Sequence, residues 1–208
     1  MILRPIGRTI GVMAKGNTTR ARIVETALRA ASVDGLEGIS LGKVAGDIGM
    51  SKSGLFAHFD SKEALQVDVI EAAAEKFAAV VVVPALSAPR GEPRLRALFE
   101  HWLKWEQNES LPGGCVFMHA VAELDDRPGP VRDALVRQQT MWLDTLAKAV
   151  RLTIDAGHFR PDVDPSLFAF QLYGIVVAYY HASRLFRDPA AKEHAERAFD
   201  AVVAAARI

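Results

Sequence analysis

The stretch from Ser40 to Leu65, SLGKVAGDIGMSKSGLFAHFDSKEAL, leaves the backbone few alternatives. Leu41, Val44, Ala45 and Ile48 recur at helical spacing behind Ser40, whose hydroxyl suits a helix N-cap. Gly49 then gives the freedom for a tight turn, Ser51 is a second cap, and Leu55 and Phe59 form the buried stripe of a second short helix. Ser61 starts a third helix at once, with Lys62 and Glu63 in its first turn and Leu65, Val69, Ala73 and Phe77 along its apolar face.

Two short helices joined by a glycine turn suit duplex DNA, because the second can lie in the major groove while the first braces it against the backbone. Ser40, Leu41, Gly42 and Lys43 open the bracing helix. Lys52 and Ser53 lie in the first turn of the second helix, where side chains meet base edges, and His58 and Lys62 follow within reach of phosphates. Gly54 costs about 1 kcal/mol of helix stability relative to alanine, which a close approach of the backbone to DNA would explain.

The run GMSKSGLFAHFDSKEAL resembles the recognition-helix signature of the TetR family of transcriptional regulators. The family commonly has tyrosine where this chain has Phe56, and that hydroxyl usually meets a phosphate, so one backbone contact is expected to be missing. The resemblance implies an all-α fold of about nine helices, with three DNA-binding helices followed by a larger helical regulatory domain that pairs about a two-fold axis. It also sets Thr19 or Arg20 near a phosphate. GGCVF at 113–117 and DDRPGPVRD at 125–133 look like a recurring C-terminal subtype of the same family.

At 208 residues, half of them hydrophobic, the chain can bury one small and one larger domain. Its net charge is zero, yet residues 1–62 carry 9 Lys and Arg against 5 Asp and Glu, so the basic half is the half with the DNA motif. The single cysteine, Cys115, rules out an internal disulfide, and no apolar run approaches a membrane span, so a cytoplasmic protein with no membrane partner is expected.

Three regions are expected: a flexible basic arm over 1–17, a helix-turn-helix domain over 18–64, and a helical ligand-binding and dimerisation domain over 65–208. The arm either reaches a DNA groove or is inert sequence ahead of a start at Met13; the second reading is preferred, since termini are disordered by default. A first helix begins under a Thr18 or Thr19 cap and stops at Asp34 and Gly35. The helix from Lys62 is expected to end at Pro84, and it is the only element expected to touch both DNA and the regulatory core. Further helices run over 95–110, 115–124, 131–157, 166–186 and 189–206, divided by Pro and Gly clusters, and sustained period-two alternation is absent.

In the C-terminal half, bulky and adaptable side chains suggest a cavity between helices. Phe99, Trp102, Leu103, Phe117, Met118, Val121, Met141, Trp142, Phe168 and Tyr173 are the candidates to line it around a small apolar or amphipathic effector. Leu172, Ile175 and Tyr179 on the penultimate helix, with Ala195, Ala198, Phe199, Val202 and Val203 on the last, form apolar faces assigned to a homodimer interface.

Cys115 at a helix start, with His119 one turn on, raises a rival reading as a redox switch or a thiol enzyme, but no resolving cysteine or third orienting group accompanies them. His119 and Glu123 have the i, i+4 spacing of metal ligands without a matching second motif, so no metal or other cofactor is expected. The sequence therefore reads as a non-enzymatic, dimeric repressor that binds a two-fold-symmetric duplex operator and is released by a small molecule.

Overall fold

The computed structural model describes residues 15–105 and 107–208. Residues 1–14 of the expected arm lie outside the described residues, and residues 15–17 form the first turn of a helix. No strand occurs among the described residues; a single bridge pairs Phe159 with Arg207. The chain order is α1 (Lys15–Asp34), α2 (Leu41–Asp47), α3 (Lys52–Phe56), α4 (Lys62–Phe77), a π-helical turn (Ala78–Val82), α5 (Val83–Ala85), α6 (Glu92–Trp105), α7 (Val116–Leu124), α8 (Pro130–Asp155), α9 (Pro165–Arg184) and α10 (Ala191–Ala206). Counting α4, the π turn and α5 as one rod, nine helical rods make up the described residues.

Helix α1 starts at Lys15, so Thr18 and Thr19 lie inside it and neither is its cap. Extending a formed helix by a turn costs far less than nucleating one, so Gly16 and Asn17 do not stop it. At the far end of the rod Pro84 does not terminate the helix; it sits in the first turn of α5. A proline ring collides with the carbonyl four residues back. The chain avoids that collision by widening its turn just ahead, where the Val83 N–H donates to Ala78 O, five residues back.

Helices α1 to α3 enclose a small core of Ile23, Ala27, Leu28, Leu36, Val44 and Leu55, onto which Leu65 and Val69 of α4 pack. The larger domain is built around α8, which lies against α4, α6, α7 and α9, with α10 closing the outer side of α9. Because α4 belongs to both cores, the head is carried on the same rod that enters the regulatory half.

Candidate functional site

The head is assembled from local hydrogen bonds. Ser40 Oγ accepts from Lys43 N at 3.4 Å, Ser51 Oγ from Gly54 N at 3.0 Å, and Ser61 Oγ from Ala64 N at 3.0 Å, so each of α2, α3 and α4 is closed by the serine before it. Gly49 turns the chain between α2 and α3 at φ 72°, a left-handed conformation that a side chain disfavours. Inside, Val44, Ala45, Leu55 and Phe59 are buried. Outside, Lys52 and Ser53 stand exposed on the first turn of α3, beside exposed Gly42 and Lys43 and half-buried Leu41 of α2. Phe56 is 42% exposed at the end of α3. Gly54 has a reason internal to the protein as well, since a Cβ there would lie 3.2 Å from the Ser51 cap oxygen.

Arg20 is not the free phosphate ligand expected of it. Its guanidinium donates to the carbonyl of His58, pairs with Asp68 at 2.7 Å and stacks 4.2 Å over the Phe59 ring, so its donors already tie α1 to the start of α4. Lys62 is similarly engaged, with Nζ 2.6 Å from Glu37 O and 3.9 Å from the Glu37 carboxylate. Both departures have one cause: basic side chains beside a small core find nearby carbonyls and carboxylates before they find solvent. Thr19 and His58 are half-buried next to this cluster.

In the regulatory half a cavity of about 180 Å³ lies between the rod, α6, α7, α8 and α9. Trp102, Phe117, Met118, Met141, Trp142 and Tyr173 of the expected set line it. The rings form a cluster around Phe77, whose centroid is 4.8 Å from Trp142, 6.3 Å from Trp102 and 6.4 Å from Phe117, all edge-on. Burial, with a smaller contribution from nearby Cys115, pushes the Tyr173 hydroxyl pKa up, so it stays protonated. Sequence reasoning passed over Ala74, Phe77, Ala78 and Val82 of the rod and Gln138, Gln139 and Thr145 of α8, which complete the wall. Phe77 was legible as an apolar residue of α4; that its ring faces a cavity was not.

The other expected lining residues go elsewhere. Phe99 stacks on Phe199 at 4.2 Å, and Phe168 packs on Phe159 at 5.3 Å, each inside solid core. Leu103 borders a different crevice, on the outer side of α6 beside Tyr179 and Lys192. Val121 lines a wider groove of about 580 Å³ between α7, α8 and α9, which shares Gln139 and Tyr173 with the cavity. Periodicity marks a buried face but does not say which neighbour fills the space in front of it.

Cys115 is 1% exposed at the N-terminus of α7 and lines the cavity. His119 Nε2 and Tyr180 OH are 2.5 Å apart, and burial, then the Arg184 charge, holds the imidazole pKa below its usual value although Glu123 opposes this. Glu123 spends its carboxylate elsewhere: it accepts from Leu36 N at 2.9 Å and Glu37 N at 3.3 Å. The thiol is thus buried on the cavity wall, and His119 and Glu123 are committed to separate partners, which leaves neither the nucleophile with its base nor the metal pair. Among the described residues no group of three potential ligands could hold a metal ion, and no helix is long and apolar enough to cross a membrane.

The Glu123 contact adds to α4 a second link between the halves. Gly35, at φ 76°, lies so close that a Cβ would sit 1.8 Å from Glu123 Oε1. Nearby, Gly113 N donates to the buried Ser32 Oγ at 3.3 Å, and a Cβ on Gly113 would sit 1.5 Å from Ser32 O. Helix α7, whose Phe117 and Met118 wall the cavity, therefore grips the α1–α2 turn of the head directly.

The last two helices also differ from expectation. Leu172, Tyr179, Ala195, Phe199 and Val203 are buried within the protomer, Phe199 completely, against α6 and each other. Their stripe does not face water because α6 already covers it. Ile175, Ala198 and Val202 line an open groove between α9 and α10 together with Gly174, Ala178 and Ala182, and the edges of Tyr179 and Ala195 also reach it.

Comparisons with known proteins follow this division. Residues 23–69 match the model described as bacterial regulatory proteins, tetR family, and residues 91–199 match the tetracyclin repressor-like C-terminal domain. No curated protein sequence gives a significant match. Among solved structures, a TetR transcriptional regulator from Chloroflexus aurantiacus is 25% identical, with a TM-score of 0.82 over 92% of this chain and 96% of that one. AibR, solved with isovaleryl coenzyme A and operator DNA, is 26% identical, with a TM-score of 0.67 over 90% of this chain and 97% of that one. A transcriptional regulator from Saccharomonospora viridis in complex with choline shares the fold at 20% identity, with a TM-score of 0.77 over 88% and 95% of the two chains. An exposed recognition turn on a head that matches one family model, carried by a domain that matches the family's C-terminal model over more than half of the sequence, allows one assignment: the chain belongs to the TetR family of DNA-binding transcriptional regulators.

Proposed function

We infer that this protein is a homodimeric repressor that holds a two-fold-symmetric operator through the α3 helices of two heads and releases it when a small apolar or amphipathic molecule occupies the cavity beside Phe77. The observation that carries this reading is the position of Phe77: it is on the same rod as the head, and it is the centre of the ring cluster that walls the cavity. A ligand that prefers one arrangement of those rings over another must bias the tilt of α4, and with it the heads; equal affinity for both arrangements would shift nothing. A tenfold change in operator affinity requires about 1.4 kcal/mol of coupling, within reach of a few repacked rings.

Pairing is assigned to the open α9–α10 groove lined by Ile175, Ala198 and Val202, where small residues allow a partner's helices to come close. Two heads in successive major grooves then sit roughly 34 Å apart. Isovaleryl coenzyme A is bound by AibR and choline by the Saccharomonospora viridis regulator; this reading takes from AibR, bound to isovaleryl coenzyme A and operator DNA, the principle that ligand and operator can meet one chain.

The test is selection of bound duplexes from a random pool by the purified protein, followed by sedimentation of the complex. A palindromic consensus bound by dimers, and lost from Ile175→Glu, is the expected result. Monomers binding an asymmetric site would overturn the dimeric reading, and an absence of any enriched sequence would overturn α3 as the reading element.

A further inference from the structure

We propose that the effector is a neutral, single-ring compound carrying a hydrogen-bond acceptor, such as an aryl ketone, aldehyde or ester. This deepens the reading above and rests on it: the cavity beside Phe77 is taken to be the effector site.

Size sets the first limit. The cavity holds about 180 Å³, slightly more than the cavity of about 150 Å³ that takes up benzene in an engineered protein. One ring with a short substituent fills it, and a coenzyme A thioester or a fused polycycle would have to extend beyond it, into the groove that shares Gln139 and Tyr173. The wider groove of about 580 Å³ would admit larger molecules, but its walls come from α7, α8 and α9 and the turn after α7, with none from α4. A molecule confined to that groove touches nothing on the rod that carries the head.

Charge sets the second limit. No Asp, Glu, Lys, Arg or His lines the cavity, whereas Asp125, Arg132 and Asp144 line the groove. An ion entering the cavity would leave water for a site with no opposite charge to meet it, which disfavours carboxylates and ammonium ions alike. The rings by themselves would favour a quaternary ammonium, but the polar hydrogens there oppose it.

Those hydrogens set the third limit. Trp142 lines the cavity, is 8% exposed, and its Nε1 has no hydrogen-bond partner among the described residues. An unmet buried N–H is costly, and a ligand that brings an acceptor to it recovers that cost. The Tyr173 hydroxyl and the Gln138 and Gln139 carboxamides, also on this wall, can meet a ligand group as donor or as acceptor. The Trp142 N–H therefore calls for an acceptor on the ligand, while the edge-on cluster of Phe77, Trp102, Phe117 and Trp142 calls for a ring.

Calorimetric titration of the purified protein with four probes tests this: acetophenone, ethylbenzene and benzoate, which are of similar size, and the smaller tetramethylammonium. Acetophenone is expected to bind about tenfold tighter than ethylbenzene, the worth of one hydrogen bond, and the two ions to give no heat. In Trp142→Phe, which keeps a ring but loses the N–H, the preference for acetophenone over ethylbenzene should fall to about one; Tyr173→Phe is the parallel variant should the first fail to fold. Equal affinities for acetophenone and ethylbenzene in the wild type, tighter binding of either ion, or no binding of any probe would overturn the ligand class. Titrating the selected operator with each bound probe separates the two levels: acetophenone bound with the expected preference, yet without effect on operator affinity, would leave the ligand class standing and remove the cavity as the effector site.

Discussion

In the head, α2, α3 and α4 each begin on a serine whose hydroxyl closes the first turn, and the nearby basic side chains Arg20 and Lys62 are tied to carbonyls and carboxylates. In the regulatory half, α7, α8 and α10 begin without a side-chain cap, and two buried indole N–H groups, those of Trp105 and Trp142, find no partner among the described residues. The head closes these helix starts with its own serines, and the regulatory half keeps two buried donors and empty volume in reserve. A reading head gains from a single rigid geometry, because misplaced base contacts lose specificity. A sensor gains from arrangements close in energy, because only then can a ligand worth a few kcal/mol choose between them.

The largest effect that sharpens this contrast lies away from the cavity. Phe199 is fully buried and stacked on Phe99, so Phe199→Ala should cost about 3–5 kcal/mol in denaturant unfolding. A cost near zero would mean that the looseness of the regulatory half extends to α10 and that Phe199 belongs at a surface after all.

The next effect tests whether the halves are mechanically separate. Gly35→Ala forces a Cβ into a left-handed position against Glu123 and should destabilise the chain by about 1–3 kcal/mol. Adding Glu123→Ala should restore part of that loss, since the steric component goes while the backbone component remains. Strictly additive costs in this double-mutant cycle would show that α7 does not bear on the head.

At the DNA surface, Lys52→Ala should change base preference in the selected duplex by about 1–3 kcal/mol at one position of each half-site. Arg20→Ala should instead lower the melting temperature of the head, because its guanidinium holds α1 to α4. An unaltered consensus in Lys52→Ala would move the reading face off the first turn of α3.

The smallest effect is in acid. The His119 pKa is held below its usual value in the folded chain, so its contribution to stability is complete above the unfolded value of 6.5 and is lost as pH falls through the folded value. Amide protection factors around α7 and α9, taken relative to the unfolded chain at each pH, should therefore fall from pH 7 to pH 5 in the wild type, and His119→Gln should flatten that dependence. An equal fall of protection in the head would show that the change is not centred on His119.

The parts of this molecule that could be read directly from its residues are those decided within one or two helical turns. Ser40, Ser51 and Ser61 bond to amides three residues ahead, and Gly49 turns the chain where it stands, so the helix-turn-helix, the all-helical class and the exposure of Lys52 and Ser53 follow from neighbours in the chain. Ala195, Phe199 and Val203 were legible as one apolar stripe for the same reason. What lies in front of that stripe was not: Phe99 covers Phe199 from a helix a hundred positions earlier in the chain. Glu123 reaches Leu36 across 87 residues, Gln66 reaches Leu36 O across 30, and Arg20 reaches His58 O across 38. Such pairs form only when helices are packed at particular angles and depths, which no periodicity encodes. The sequence by itself therefore determined the helices, their order and the DNA-reading turn, because those depend on short-range hydrogen bonds and spacing. Tertiary packing alone decided that Phe77 faces a cavity, that α7 as well as α4 holds the head, and which face of α10 is left uncovered, because each of those depends on which distant side chain arrives first to fill the space.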